Sequence, residues 1–136
     1  TFVVARKNEK KDYDINNSYH ESTQVLSQFL KHHHEEVNKI RQQIATNREN
    51  TFIFGGHIFT QYLFGFGLEE DLFSNILDND PAKIENRLYG THLTVKSPQI
   101  LRDRESPVVV LKAAQYTEEI KKDIIENINP NTRFIL

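Results

Sequence analysis

The sequence predicts an α/β fold, a Rossmann-like parallel sheet with flanking helices, preceded by a long amphipathic helix. From Thr51 onward, short apolar runs alternate with helical stretches, which is the pattern of a parallel sheet with helical crossovers. Before that point, apolar residues recur at spacings of three and four from Leu26 to Ile44, which indicates a helix with one apolar face. A chain of 136 residues is long enough for one such domain with its own core.

The segment before the sheet has three parts. Residues 2–5 form an apolar run typical of a strand and residues 6–17 are polar, so 1–17 are interpreted as a terminal strand and linker from a preceding domain. The long helix is predicted over 18–47, with Ser18 and Glu21 at the spacing of a capping box. Its apolar face needs cover, either from the following domain at 51–136 or from a second copy in a dimer formed through residues 18–46.

The elements of the sheet domain follow from apolar runs and their boundaries. Strands are predicted at 51–54, 73–77, 93–95, 107–112 and 133–136, and helices at 58–66 and from 117 until Asn129 and Pro130 stop it. Ser97 followed by Pro98 indicates a helical turn between the third and fourth strands. The Val-Val-Val-Leu run within 107–112 has no polar alternation, which is typical of a strand covered on both faces.

Composition excludes several classes of function. Lys and Arg number 17 against 19 Asp and Glu, so the net charge of −2 argues against nucleic-acid partners and anionic membranes. There is no apolar run of 18 residues and no secretory leader, so the expected location is cytoplasmic. The absence of Cys excludes disulfides, thiolate zinc sites and cysteine nucleophiles. The chain has no Met and begins with Thr, so we expect it to be part of a longer protein.

The turn between the first strand and its helix is the strongest candidate for a site. Gly55 and Gly56 would let the backbone approach a ligand, and the helix start would attract a phosphate, although a tight turn alone would also explain two glycines. Because the glycines are adjacent, the three-glycine dinucleotide fingerprint is absent, which argues against an NAD-dependent oxidoreductase. His57 follows them, where it could donate to a phosphate or sugar oxygen or have only a structural role.

Further candidates follow the other strands. Asp78 lies 22 residues beyond Gly56, near the spacing at which an acid accepts from a ribose hydroxyl, but an Asx turn would also place it there. Lys83 and Arg87 could reach a diphosphate or be solvated, and Tyr116 could stack on a base, bind a sugar or cover the core. Since parallel strands deliver their carboxyl ends to one edge, we expect a shared crevice. The predicted substrate-binding residues are Gly55, Gly56, His57, Asp78, Asn79, Lys83, Arg87, Tyr89, Gly90, Thr91 and Tyr116.

The triplet His32-His33-His34 has the composition of a metal site but not the geometry. Neighbouring residues on a helix point about 100° apart and do not converge on one ion. We therefore predict no metal site, and assign the triplet to a helix face with His33 inside the apolar stripe.

Four blocks in order resemble one family, namely FGGHIFTQYL at 54–63, LDNDPAK at 77–83, RLYGT at 87–91 and VKSP at 95–98. This is the C-terminal domain of sugar-nucleotide C-methyltransferases, which methylate a ketosugar carbon on a nucleoside diphosphate carrier. The resemblance covers the whole chain, with residues 2–7 resembling the end of the methyl-donor domain and the long helix resembling its connector.

The resemblance implies that this domain helps to bind the nucleoside diphosphate sugar. It also implies that S-adenosylmethionine (SAM) and the proton-abstracting residues belong to a preceding methyltransferase domain, so that this chain has no cofactor and no catalytic residue of its own. The alternative is a stand-alone module that binds a nucleotide or dimerises. A looser similarity extends to nucleotide-binding domains of sugar-nucleotide dehydratases and acyltransferases.

Overall fold

The computed structural model describes residues 15–44 and 48–136, with side chains from residue 18. The strand predicted at 2–5, most of the predicted linker and the helix end at 45–47 lie outside these residues. The chain divides into two compact units, residues 1–32 and 33–136. The first unit is helical throughout its described part, and the second contains the sheet.

The long helix α1 spans Ile15–Gln43, which is 29 residues. The predicted capping box is wrong, because the helix already includes Ile15 and Ser18 therefore lies inside it. Helix α1 ends at Gln43, so residue 44 of the predicted helix lies outside it, and residues 45–47 lie outside the described residues. The guanidinium of Arg133 donates to the Gln43 carbonyl at 3.2 Å, so a side chain of the sheet domain satisfies one of the last helical carbonyls.

Five strands form a parallel sheet in the order β3-β2-β1-β4-β5, which confirms the predicted fold class. Their bounds are Thr51–Phe54 for β1, Asn75–Leu77 for β2, Val95–Lys96 for β3, Val108–Leu111 for β4 and Arg133–Ile135 for β5. Strand β3 begins two residues later than predicted. The segment before it, which follows β2, forms an antiparallel hairpin with the residues that lead into β3. Within this hairpin Arg87 bridges Thr94, and the amide of Glu85 donates to the Val95 carbonyl at 2.8 Å.

The helical connections agree with the predicted pattern. Helix α2 spans Ile58–Gly65, and helix α3 spans Thr117–Asp123 and continues as a π-helical turn over Ile124–Ile128. A 3₁₀ turn at Pro98–Leu101 begins at Ser97, whose hydroxyl accepts from the Gln99 amide at 3.3 Å, as the sequence predicts for this turn.

Strand side chains alternate between two apolar layers, because successive residues of a strand point to opposite faces. One layer joins the sheet to α1 and α2 and contains Val37, Ile40, Ile53, Leu63, Ile76, Val95, Val110 and Ile135. The other lies under the Pro98–Leu101 turn and α3 with its π turn, and contains Phe52, Phe54, Leu77, Leu101, Val109, Leu111, Ile124 and Ile128. The sheet is therefore covered on both faces.

The apolar stripe on α1 is buried in the second unit and exposed in the first. Val37 and Ile40 are each 2% exposed in its core, whereas Leu26 in the first unit is 56% exposed. Polar contacts hold the same part of the helix, since Lys112 pairs with Glu36 and a carboxylate oxygen of Glu69 lies 2.9 Å from Arg41. The later half of the predicted dimer face is thus occupied by the protein's own core.

No helix within the described residues is long and apolar enough to cross a membrane.

A pair of truncations on α1 tests this difference in burial. Ile40→Ala should lower the free energy of unfolding by about 2–5 kcal/mol, because it leaves a cavity in the core. Leu26→Ala should change that free energy by less than about 0.5 kcal/mol, because the side chain is already largely solvated. Chemical denaturation of both variants measures the two values, and equal losses would contradict the described packing of α1.

Candidate functional site

A crevice of about 580 Å³ lies at the carboxyl edge of the sheet, where strands β1, β2 and β4 end. This volume is within the range of small-molecule sites. Its walls come from the turn after β1, the first turn of α2, the turn after β2, the loop after β4 and the start of α3. The lining residues are Phe54, Gly55, His57, Ile58, Phe59, Asp78, Asn79, Lys83, Ala113, Ala114, Gln115, Tyr116, Glu119 and Ile120.

The structure brings most of the predicted site residues together. Gly55, His57, Asp78, Asn79, Lys83 and Tyr116 line the crevice, and the Gly56 amide donates to an Asp78 oxygen at 2.7 Å. Arg87, Tyr89, Gly90 and Thr91 do not line it, because they belong to the hairpin that covers β3. Tyr89 is 89% exposed at the tip of this hairpin, and its carbonyl accepts from the Gln61 side chain at 2.9 Å.

The Asp78 carboxylate organises the crevice. It accepts from the backbone amides of Gly56 at 2.7 Å and Asp80 at 2.9 Å, and from the ammonium of Lys83 at 3.0 Å. Burial, the largest single influence, raises the pKa of Asp78, but the Asp80 amide, Lys83 and the Gly56 amide together hold it below its ordinary value. The predicted ribose contact would have to use the one acceptor position of the carboxylate that these donors leave.

Gly55 is required by the turn itself, and Gly56 is closely packed within it. Gly55 has a φ of +110°, a backbone conformation that residues other than glycine rarely adopt. A Cβ at this position would collide with the His57 imidazole. At Gly56 a Cβ would lie 3.3 Å from both an Asp78 carboxylate oxygen and a Val95 methyl group. A larger residue at Gly55 would therefore disturb the turn, and one at Gly56 would require small shifts of its neighbours.

His57 is the N-cap of α2, a position that usually holds Ser, Thr, Asp or Asn. Its Nδ1 accepts from the Phe59 amide at 3.3 Å, and this hydrogen bond assigns the proton of the neutral ring to Nε2. Burial is the main cause that lowers the pKa of His57, with Lys83 acting in the same direction and Asp78 opposing both. At neutral pH the imidazole therefore offers the crevice an uncharged N–H donor.

Two backbone donors remain at the start of α2. Within residues 15–44 and 48–136, the amides of His57 and Ile58 donate to no other group, whereas the Gly56 amide is used by Asp78. These amides lie at the positive end of the helix dipole, where an anionic oxygen binds favourably. The Nε2–H of His57 is a third uncharged donor at the same turn.

Sequence reasoning missed several residues of the crevice. Phe59, Ala114 and Gln115 line the crevice but are not among the residues that the sequence predicts to bind substrate. Ala114 has a φ of +48°, a conformation that L-residues rarely adopt and that sequence does not reveal. The available signal for Phe59 is its position three residues after Gly56, in the first turn of a helix that faces the sheet edge.

The histidine triplet does not gather metal ligands. His33 stacks on Phe66 at 4.7 Å between ring centroids and lies 3.5 Å from Glu36, and His34 meets the same ring edge-on at 5.6 Å. In the part of the chain that the structure describes, no group of three His, Asp or Glu side chains is placed to bind a metal ion.

The pH dependence of stability tests the state of His57. Its pKa is lower in the folded protein than the ordinary value of about 6.5, so the unfolded chain binds the proton first as pH falls. The free energy of unfolding should therefore decrease between about pH 7.5 and 5.5. His57→Asn keeps a capping oxygen without this titration and should flatten that part of the profile. Denaturation of both proteins across this range measures the difference, and identical profiles would contradict the assignment.

Removal of the Asp78 carboxylate tests its organising role. Asp78→Ala leaves two backbone amides and Lys83 without their acceptor, which should lower the free energy of unfolding by about 1–3 kcal/mol. Asp103→Ala is the matched control, because Asp103 is exposed and makes no hydrogen bond within the described residues. Thermal and chemical denaturation compare the two variants. An Asp78→Ala protein as stable as the control would show that the turn does not depend on this carboxylate.

The sequence matches a protein-family model over most of its length. Residues 6–136 match the family model described as the C-methyltransferase C-terminal domain. Searches of curated proteins and of solved structures returned no significant match. Because the family model spans nearly the whole sequence, which also has the parallel α/β fold expected from the resemblance, the chain belongs to the C-methyltransferase C-terminal domain family.

Proposed function

We propose that this domain binds the nucleoside diphosphate sugar substrate of a SAM-dependent sugar C-methyltransferase. The observation that carries the proposal is the crevice itself, in which uncharged N–H donors and largely apolar walls meet at the carboxyl ends of three parallel strands. Open α/β sheets bind their ligands at this edge. Membership of the C-methyltransferase family supplies the reaction class.

The diphosphate is assigned to the start of α2. The amides of His57 and Ile58 and the Nε2–H of His57 can each donate to a phosphate oxygen, and the helix dipole favours negative charge there. Lys83 adds a cation, but its ion pair with Asp78 neutralises most of it. Binding therefore depends on directed hydrogen bonds more than on net positive charge.

Polar side chains around the crevice can bind the sugar and nucleoside hydroxyls. Asn79 offers both donors and acceptors, and Glu119 offers acceptors. These two residues come from the turn after β2 and from α3, so they can contact different parts of an extended ligand. Their uncharged or acidic character suits hydroxyl groups rather than additional phosphates.

We assign the chemical step to another part of the enzyme. Transfer of a methyl group to a sugar carbon needs a bound methyl donor and a base at that carbon. His57 is a neutral donor that caps a helix, and the Asp78 carboxylate is already used by three donors, so neither is suited to act as this base. A preceding methyltransferase domain would supply SAM and the base, as the description of the family as a C-terminal domain supports.

The second candidate function is a stand-alone module that dimerises. It is favoured by one observation, the exposed apolar side chains Leu26 and Leu30 in the first unit. A dimer of this kind would use the early part of α1, because Val37 and Ile40 are buried in the core. Sedimentation of the chain with and without Leu26→Glu distinguishes a dimer from a monomer.

Ligand preference tests the proposed function. Titration calorimetry with the adenosine, guanosine, cytidine, uridine and thymidine diphosphates should show binding of at least one, and weaker or no binding of SAM. Replacement of His32, His33 and His34 by Gln is the control, and it should leave the affinity unchanged once circular dichroism shows an intact fold. SAM binding without nucleotide binding would contradict the proposal.

A single backbone donor can be removed to test the diphosphate position. Ile58→Pro deletes the Ile58 amide at the first position of α2, where proline is well tolerated, and His57 before it already has the extended backbone that proline requires. It should weaken diphosphate binding by about tenfold or more relative to Ile58→Ala, which loses the side chain only. Equal affinities of these two variants would place the phosphates elsewhere.

A further inference from the structure

Two exposed aromatic rings line the crevice from different elements. Phe59 in the first turn of α2 is 52% exposed, and Tyr116 in the loop after β4 is 56% exposed. Single exposed aromatic residues are common on protein surfaces. Two of them at the walls of one crevice indicate a binding surface for a flat apolar group of a ligand.

Local structure fixes the backbone at both residues and packs the Phe59 ring against His57. The amide of Phe59 donates to the His57 imidazole, and the two rings meet edge to face with centroids 5.5 Å apart. Tyr116 ends a 3₁₀ turn that begins at Ala114 with a φ of +48°, and its amide donates to the Ala113 carbonyl at 3.0 Å. Backbone strain of this kind persists only where the surrounding structure enforces it, and it is frequent at ligand clamps.

The neighbouring walls favour a planar ring over a sugar. Ile58, Ala113, Ala114 and Ile120 are apolar or small, so this part of the crevice offers few partners for a ring of hydroxyls. A nucleobase binds by stacking of its two faces on aromatic rings and by one or two hydrogen bonds at its edge. The side-chain amide of Gln115, on the same loop as Tyr116, can form those hydrogen bonds.

We propose that Phe59 and Tyr116 stack against the nucleobase of the bound nucleotide, with Gln115 at the edge of the base. This inference rests on the proposed function. It adds that the walls formed by Phe59 and Tyr116 contact the nucleobase of the ligand. Stacking depends on the π-face that all bases share, so the rings supply affinity, and discrimination between bases falls to the Gln115 amide.

Helix α2 provides a matched control. Tyr62 lies one turn after Phe59 and is 50% exposed, but it does not line the crevice. The probes are the tightest-binding nucleoside diphosphate from the panel above, inorganic pyrophosphate and glucose 1-phosphate. Calorimetry measures their affinities for the wild-type chain and for Phe59→Ala, Tyr116→Ala and Tyr62→Ala, after circular dichroism has verified each fold.

Phe59→Ala and Tyr116→Ala should each weaken nucleoside diphosphate binding by roughly five- to one-hundredfold and leave pyrophosphate binding unchanged. Tyr62→Ala should leave both affinities unchanged, and Phe59→Trp should retain nucleotide binding because its ring also stacks. In NMR spectra of the wild-type complex, the base protons should move upfield through the ring currents of the two side chains.

Other outcomes distinguish a failure of the stacking assignment from a failure of the proposed function. If the wild-type chain binds the nucleotide and Phe59→Ala behaves like Tyr62→Ala, the stacking assignment is wrong and the proposed function stands. If the two crevice variants weaken glucose 1-phosphate binding and spare the nucleotide, the rings bind the sugar and the assignment is overturned. If no nucleoside diphosphate binds to the wild-type chain, both the assignment and the proposed function fail.

Discussion

The crevice depends on one buried interaction, in which the carboxylate of Asp78 accepts the Gly56 amide. This hydrogen bond joins the end of β2 to the turn after β1, and Asp80 and Lys83 add two more donors to the same carboxylate. Because Asp78 is only 7% exposed, loss of these partners would leave a buried charge without compensation. The position of α2, and hence of His57 and Phe59 at its start, follows from the turn that this interaction fixes.

The same interaction determines the electrostatic character of the site. A protein carboxylate already occupies the Gly56 amide, one of the donors that a glycine turn usually offers to a phosphate, and Lys83 is paired with that carboxylate. What remains for a ligand are the uncharged donors of the next residues. A site of this kind gains affinity from geometry and from apolar contact rather than from long-range attraction, so its ligand binding should depend only weakly on salt.

The sequence predicted those elements whose signals are local. Strands β1 and β4, the helix α2 and the capped turn at Ser97 follow from apolar runs, glycines and cap residues, and they lie within one or two residues of the predicted bounds. The start of β3 and the places of Arg87 and Tyr89 were not accessible in this way, because they depend on an antiparallel pairing between segments that lack a strong strand signal. Phe59 reads as a helix residue in sequence, since only the fold shows which side of α2 faces the crevice.

The hairpin after β2 also affects how the sheet meets other chains. An edge strand presents unpaired amides and carbonyls to which a strand of another molecule can add, a route to aggregation. Strand β3 would be such an edge, but its outer side is already engaged, since the Glu85 amide donates to the Val95 carbonyl and the Val95 amide donates to the Asn86 carbonyl, each at 2.8 Å. The loop that keeps four of the predicted ligand contacts out of the crevice thus closes this side of the sheet to intermolecular strand addition.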